Sequence, residues 1–148
     1  MKKISSSFYK DLVESRPQEK TVLLPFGEET FEVKIKDYLT LEERAEMFED
    51  TIRVFRSKAI QEEEDDAMKT IVVLMVIFKA LTDVEFPEEV QEQVQQFTTL
   101  LEVGFVEKII KNFKEGIVEE SALFLKEAMA VATEQLQKEK ASEVTPEV

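Results

Sequence analysis

The chain has 148 residues, of which 43% are hydrophobic and 34% charged, enough apolar material for the core of one compact domain. It contains no cysteine and no histidine, which removes disulfide frameworks, thiolate nucleophiles, zinc sites built on sulfur or imidazole, and the usual general base near neutral pH. The 32 acidic residues against 19 basic ones give a formal net charge of −13, which repels nucleic-acid phosphates and anionic lipid at long range and leaves protein surfaces as the expected partners.

The N-terminal segment, residues 1–19, reads as a short helix and a linker. Met1, Lys2 and Lys3 lead into Ser5, Ser6 and Ser7 without an apolar stretch, so a signal peptide is not expected. Residues 5 to 14 carry Phe8 and Leu12 one turn apart with Tyr9 and Val13 beside them, an apolar stripe for which Ser7 is the expected N-cap. Arg16, Pro17 and Gln18 interrupt it.

Residues 20–141 read as a single domain. It opens with two extended stretches, Thr21 to Leu24 and Thr30 to Lys36, separated by Pro25 to Glu29, which predicts a hairpin over 21–36 with a five-residue loop. Phe31, Val33 and Ile35 alternate with Glu32, Lys34 and Lys36, so the first three are expected on the buried face. A hairpin is marginal alone, and the helix that follows is its natural cover. Thr40 and Glu43 form a capping-box pattern, after which Leu41, Ala45, Phe48, Ile52 and Phe55 share one face of a helix over 41–57.

Glu62 to Asp66 are five consecutive acids ahead of the most apolar part of the chain, where the helix dipole favours them at an N-terminus. They lack the alternate spacing and the glycine of a calcium loop, so no metal is assigned. The helix over 66–82 is apolar around almost its whole circumference from Ile71 to Leu81, as expected of the central element. The run Ile71 to Phe78 is far too short to span a bilayer, which takes roughly 20 residues.

Pro87 suits the first turn of a helix over 88–102, with Val90, Val94, Phe97 and Leu101 on one face and glutamines on the other. Gly104 ends it, and helices over 105–115 and 118–140 follow, separated by Gly116. Residues 142–148 read as a flexible tail. The fold class is therefore mainly α: a bundle of about five helices with an N-terminal β-hairpin.

No pattern carries chemistry. Glu42 with Glu43 and Glu88 with Glu89 sit at helix starts, where the dipole explains them, and glycines 27, 104 and 116 are too far apart to cradle a phosphate. No catalytic residue, cofactor or metal is expected, and no nucleic acid or membrane as partner; the chain reads as a binding protein rather than an enzyme. The last helix offers Val118, Leu125, Ala128, Ala132 and Leu136 as seam positions, with Ala122 and Met129 beside them, while Leu123, Phe124, Ala130 and Val131 widen the apolar surface toward bundle packing. The expected partner-binding residues are Phe8, Tyr9 and Leu12 on the first helix and Leu125, Met129 and Leu136 on the last, with self-association into a homo-oligomer as one use of the latter.

The stretch Phe31-Glu-Val-Lys-Ile-Lys-Asp-Tyr-Leu-Thr-Leu-Glu-Glu-Arg-Ala-Glu-Met47, a strand running directly into a "YLxLEE" helix start, resembles a pattern in small proteins encoded among the structural genes of tailed phages and prophages of Gram-positive bacteria. Leu81-Thr-Asp-Val-Glu-Phe-Pro-Glu-Glu-Val90, the glutamine-rich helix and the Gly104 break before Phe105 to Phe113 look like the same group, and together these cover roughly two thirds of the chain. Some proteins of this size and layout are tail assembly chaperones, so the resemblance implies a holder of the apolar tape-measure protein until tail tube subunits polymerise, working with other phage proteins in the host bacterial cytoplasm. The nearest alternative is a head or tail subunit retained in the virion. A third is an acidic DNA mimic that inhibits a host enzyme, although Lys34, Lys36, Arg53, Arg56, Lys108 and Lys111 interrupt the negative charge.

Overall fold

A computed structural model of the chain describes residues 3–15, 19–57, 60 and 65–143, with Leu136 and 140–143 described by backbone only. It is mainly helical with an N-terminal antiparallel hairpin. Among the described residues the elements are α1 (Ser6–Glu14), β1 (Lys20–Phe26), β2 (Glu29–Ile35), α2 (Leu41–Arg56), α3 (Asp66–Leu81), α4 (Val90–Glu102), α5 (Phe105–Ile110) and α6 (Ile117–Glu143).

The hairpin is tighter than the sequence suggests. Phe26 pairs with Glu29 and Pro25 with Thr30, so the connection is the two residues Gly27 and Glu28 rather than a five-residue loop. Gly27 takes a φ of 64°, the left-handed conformation that a two-residue hairpin turn demands of its first central residue. Pro25 is tolerated inside β1 because the ladder alternates: counting from the closing pair, position 25 points its backbone away from β2, where no N–H is needed.

The β2 edge is stitched to the end of α3. Lys36 N–H donates to Leu81 O at 2.8 Å, Asp83 N–H to Lys34 O at 3.2 Å, and Lys34 N–H to Asp83 Oδ1 at 2.8 Å. These bonds fix the hairpin to the central helix and bury Val33 and Ile35. Phe31, expected beside them, remains 46% exposed, although Leu24, directly opposite it on the same face of the ribbon, is buried.

α2 begins where the capping box places it: Glu43 N–H donates to Thr40 Oγ1 at 3.1 Å and Thr40 N–H to Glu43 Oε1 at 3.2 Å. The cap of α1 lies two residues earlier than expected, with Ser5 rather than Ser7 accepting from Phe8 N–H, because Ser7 already lies in the first turn. Asp65 caps α3 by accepting from Ala67 N–H. Asp66 is the first residue of the helix, and the other acids of that run, Glu62 to Glu64, lie outside the described residues.

α3 is the central element and packs against α2, α4 and α6. Phe78, fully buried on it, meets the rings of Phe97 at 5.5 Å, Phe86 at 6.3 Å and Phe113 at 6.4 Å between centroids, which joins α3, the 83–89 segment, α4 and the segment after α5 in one aromatic cluster. α4 starts at Val90 instead of 88. Gln93 turns inward rather than to solvent: its Nε2 donates to Pro87 O at 2.7 Å and Glu88 O at 3.3 Å, holding those carbonyls outside the helix. α5 ends at Ile110 rather than 115, because Asn112 and Phe113 N–H close short turns onto Ile109 O and Ile110 O. α6 continues through Ser142 and Glu143, past the expected start of the tail, and 144–148 lie outside the described residues.

Candidate interaction surfaces

Three features of the surface stand out once the core is subtracted. The first is α1. Its nine residues include none that is buried, and Phe8, Tyr9 and Leu12 are each between 45% and 63% exposed, with Val13 beside them. Three of the expected partner-binding residues thus occupy one apolar face that the body of the protein does not cover.

The second is the hairpin tip. Phe26 is 60% exposed, yet its ring stacks edge-on against Phe105 at 5.5 Å, so the tip and the start of α5 form one aromatic ridge. Phe31 lies diagonally beside Phe26 on the same face, and Val103 precedes the Gly104 turn into α5; both are exposed. Leu23 is exposed on the opposite face of the ribbon. On the outer edge of β1, Thr21 and Leu23 direct backbone groups away from β2.

The third is a cleft of about 460 Å³ between α2 and α6. One wall is Asp37, Tyr38, Leu39, Arg44 and Met47; the other runs from Lys114 through Ile117 and Phe124 to Glu127. The Arg44 guanidinium lies 6.0 Å from the centre of the Phe124 ring, a cation–π arrangement across the floor. Asp37 Oδ1 is enclosed and has no hydrogen-bond partner, a costly position for a carboxylate oxygen.

The last helix divides differently from the seam reading. Leu125 is 3% exposed and belongs to the core, so it is a packing residue and not a surface for partners. Its side of α6 is consumed by contacts with α2 and α3. Met129 is half-buried, and the side chain of Leu136 lies outside the described residues. Sequence periodicity could not separate these roles, since a seam and a bundle face use the same spacing.

Several of the ionisable groups form structural pairs. Lys36 binds Glu43, and burial, which alone would raise the Glu43 carboxyl, is outweighed by hydrogen bonds from Lys36 and from the Thr40 backbone and hydroxyl, so its pKa lies below the ordinary 4.5. Lys79 Nζ sits 2.8 Å from Asp50 Oδ2 and 2.9 Å from Gln93 Oε1, and Arg53 completes the set on Asp50 at 2.5 Å. Among the described residues no three acids converge in a metal-binding arrangement, and no helix is long and apolar enough to cross a membrane.

The cleft was not legible in the sequence, because its walls come from segments about seventy residues apart. Leu23 did carry a signal: it breaks the alternation that Val22 and Leu24 would otherwise share with a wet face. Compared with protein-family models, curated proteins and solved structures, the chain finds no match.

Proposed function

We propose that this chain is a protein-binding component of bacteriophage assembly, acting in the manner of a tail assembly chaperone and not as an enzyme. The observation that supports it is the exposed pair Phe26 and Phe31 on a hairpin that is itself bolted to the central helix, with Phe26 braced against half-buried Phe105 of α5. Exposed aromatic side chains on a rigid support lose little conformational freedom when they bury against a partner, and aromatic anchors of this kind carry most of the energy of protein interfaces. The net charge of −13 keeps the unoccupied protein from aggregating by like-charge repulsion. An apolar segment of another assembly protein is the partner that chemistry selects.

The test is to express the tagged chain during phage production, recover what co-purifies, and compare it with a Phe26→Ser/Phe31→Ser variant. Purified particles are examined in parallel for the chain. A phage-encoded protein with long apolar helical segments that is captured by the wild type and lost from the variant, together with particles that lack the chain, is the expected result. Retention of the chain in stoichiometric amounts in finished particles would replace the chaperone reading with that of a virion subunit.

A further inference from the structure

A nine-residue helix is too short to persist in water by its own hydrogen bonds, since isolated helices below roughly 12 residues are marginal even with favourable sequences. α1 therefore needs a surface to lie on, and the body of its own chain buries none of its residues. At 100° per residue, Phe8, Tyr9, Leu12 and Val13 fill one continuous arc, and Lys10 and Asp11 fall on its two opposite borders. A helix of this pattern fits a trough with apolar floor and charged rims of both signs.

The cleft between α2 and α6 has that form. Leu39, Met47, Ile117 and Phe124 line it, half-buried Asp37 belongs to one wall with its Oδ1 enclosed and unpartnered, and Lys114 lies on the opposite wall. Among the described residues Asp37 makes no ion pair, so it lacks the positive charge that Lys10 would bring; the opposite wall carries Lys114 as a cation for Asp11, alongside Glu120 and Glu127.

We propose that α1 of one copy docks in the α2–α6 cleft of a second copy, Phe8 and Leu12 entering the trough and Lys10 pairing with Asp37. The occupant is a second copy because both complementary halves are on this one chain and charges of both signs match across them. Each pair of molecules makes the contact twice, so exchange in both directions closes a dimer with no unsatisfied end. The inference is independent of the phage-assembly reading, whose test residues on the hairpin tip take no part in it.

Sedimentation of the full chain across a concentration series tests it. Wild type is expected to be a reversible dimer. Leu12→Asp, on an exposed α1 position, and Leu123→Asp, at a cleft position that is 56% exposed, should each raise the dissociation constant at least tenfold while leaving the circular dichroism spectrum of the body unchanged. Lys10→Glu and Asp37→Lys should each weaken the dimer several-fold, and the two reversals together should restore it to near the wild-type value. A chain that stays monomeric at every concentration would overturn the proposal, and amide protection of α1 in that monomer would assign the helix to its own cleft. A dimer that tolerates either aspartate substitution would overturn it as well, by placing the interface elsewhere.

Discussion

Thr40 and Glu43 each satisfy a backbone donor that helix α2 would otherwise leave bare. Loss of an N-cap hydroxyl costs about 1 kcal/mol, so Thr40→Ala should lower the unfolding free energy by that amount, read from urea denaturation midpoints. Glu43 adds a pH dependence. Its folded pKa lies below the ordinary 4.5, so its stabilisation is complete above that value and is lost as the pH falls through the folded pKa. The stability gap between wild type and Glu43→Gln should therefore be largest near neutrality and shrink below pH 4.5; a gap that stays constant into acid would refute the assignment. Lys79 is bound to Asp50 and Gln93 with little of its side chain exposed. Replacing it with methionine leaves an acceptor on each neighbour without its cation, and the expected cost is about 2 kcal/mol. Lys79→Met combined with Asp50→Leu should cost less than the sum of the two single changes, as a double-mutant cycle will show.

Whole elements were legible where local chemistry and periodicity agreed. The capping box set the start of α2, and the all-round apolar stretch announced α3 as the buried centre. Prediction slipped where a side chain bonded out of turn. Gln93 belongs by composition to a wet face, but it is drawn inward by the carbonyls of Pro87 and Glu88, and α4 is shortened as a result. The hairpin loop is shorter than its sequence suggests because Pro25 looks like a breaker until the register shows that its missing N–H falls on the outer edge. The turn itself is testable. No heavy atom outside the adjacent residues lies within 4 Å of where a Gly27 Cβ would stand, so Gly27→Ala meets no clash, and its cost is that of a left-handed φ alone, about 1 kcal/mol. Phe78→Ala, which empties the middle of the aromatic cluster, should cost about 3–5 kcal/mol, and thermal denaturation of the pair will rank the two as stated.

For the molecule as a whole, the dominant electrostatic fact is the excess of acids over bases, while the dominant stabilising fact is an uncharged core on α3. The two act at different ranges. Apolar burial is local and gains modestly from added salt, but repulsion among surface carboxylates extends over the Debye length, about 30 Å at 0.01 M ionic strength and about 8 Å at 0.15 M. The described ion pairs oppose this trend, yet Lys111 with Glu107 and Lys138 with Glu134 are open to solvent and contribute little; Lys36 with Glu43 is partly shielded and Lys79 with Asp50 more so. Screening should thus relieve more repulsion than it weakens attraction. The melting temperature is expected to rise by several degrees as sodium chloride is raised from 10 to 300 mM, and the rise should be nearly unchanged in Lys79→Met. A fall in melting temperature would mean that the paired residues, rather than the uncompensated acids, govern the stability of the fold. The same screening lowers the barrier between two acidic copies, so salt should also speed the association of any pair that meets through apolar faces, linking the charge of the surface to the apolar side chains it leaves exposed.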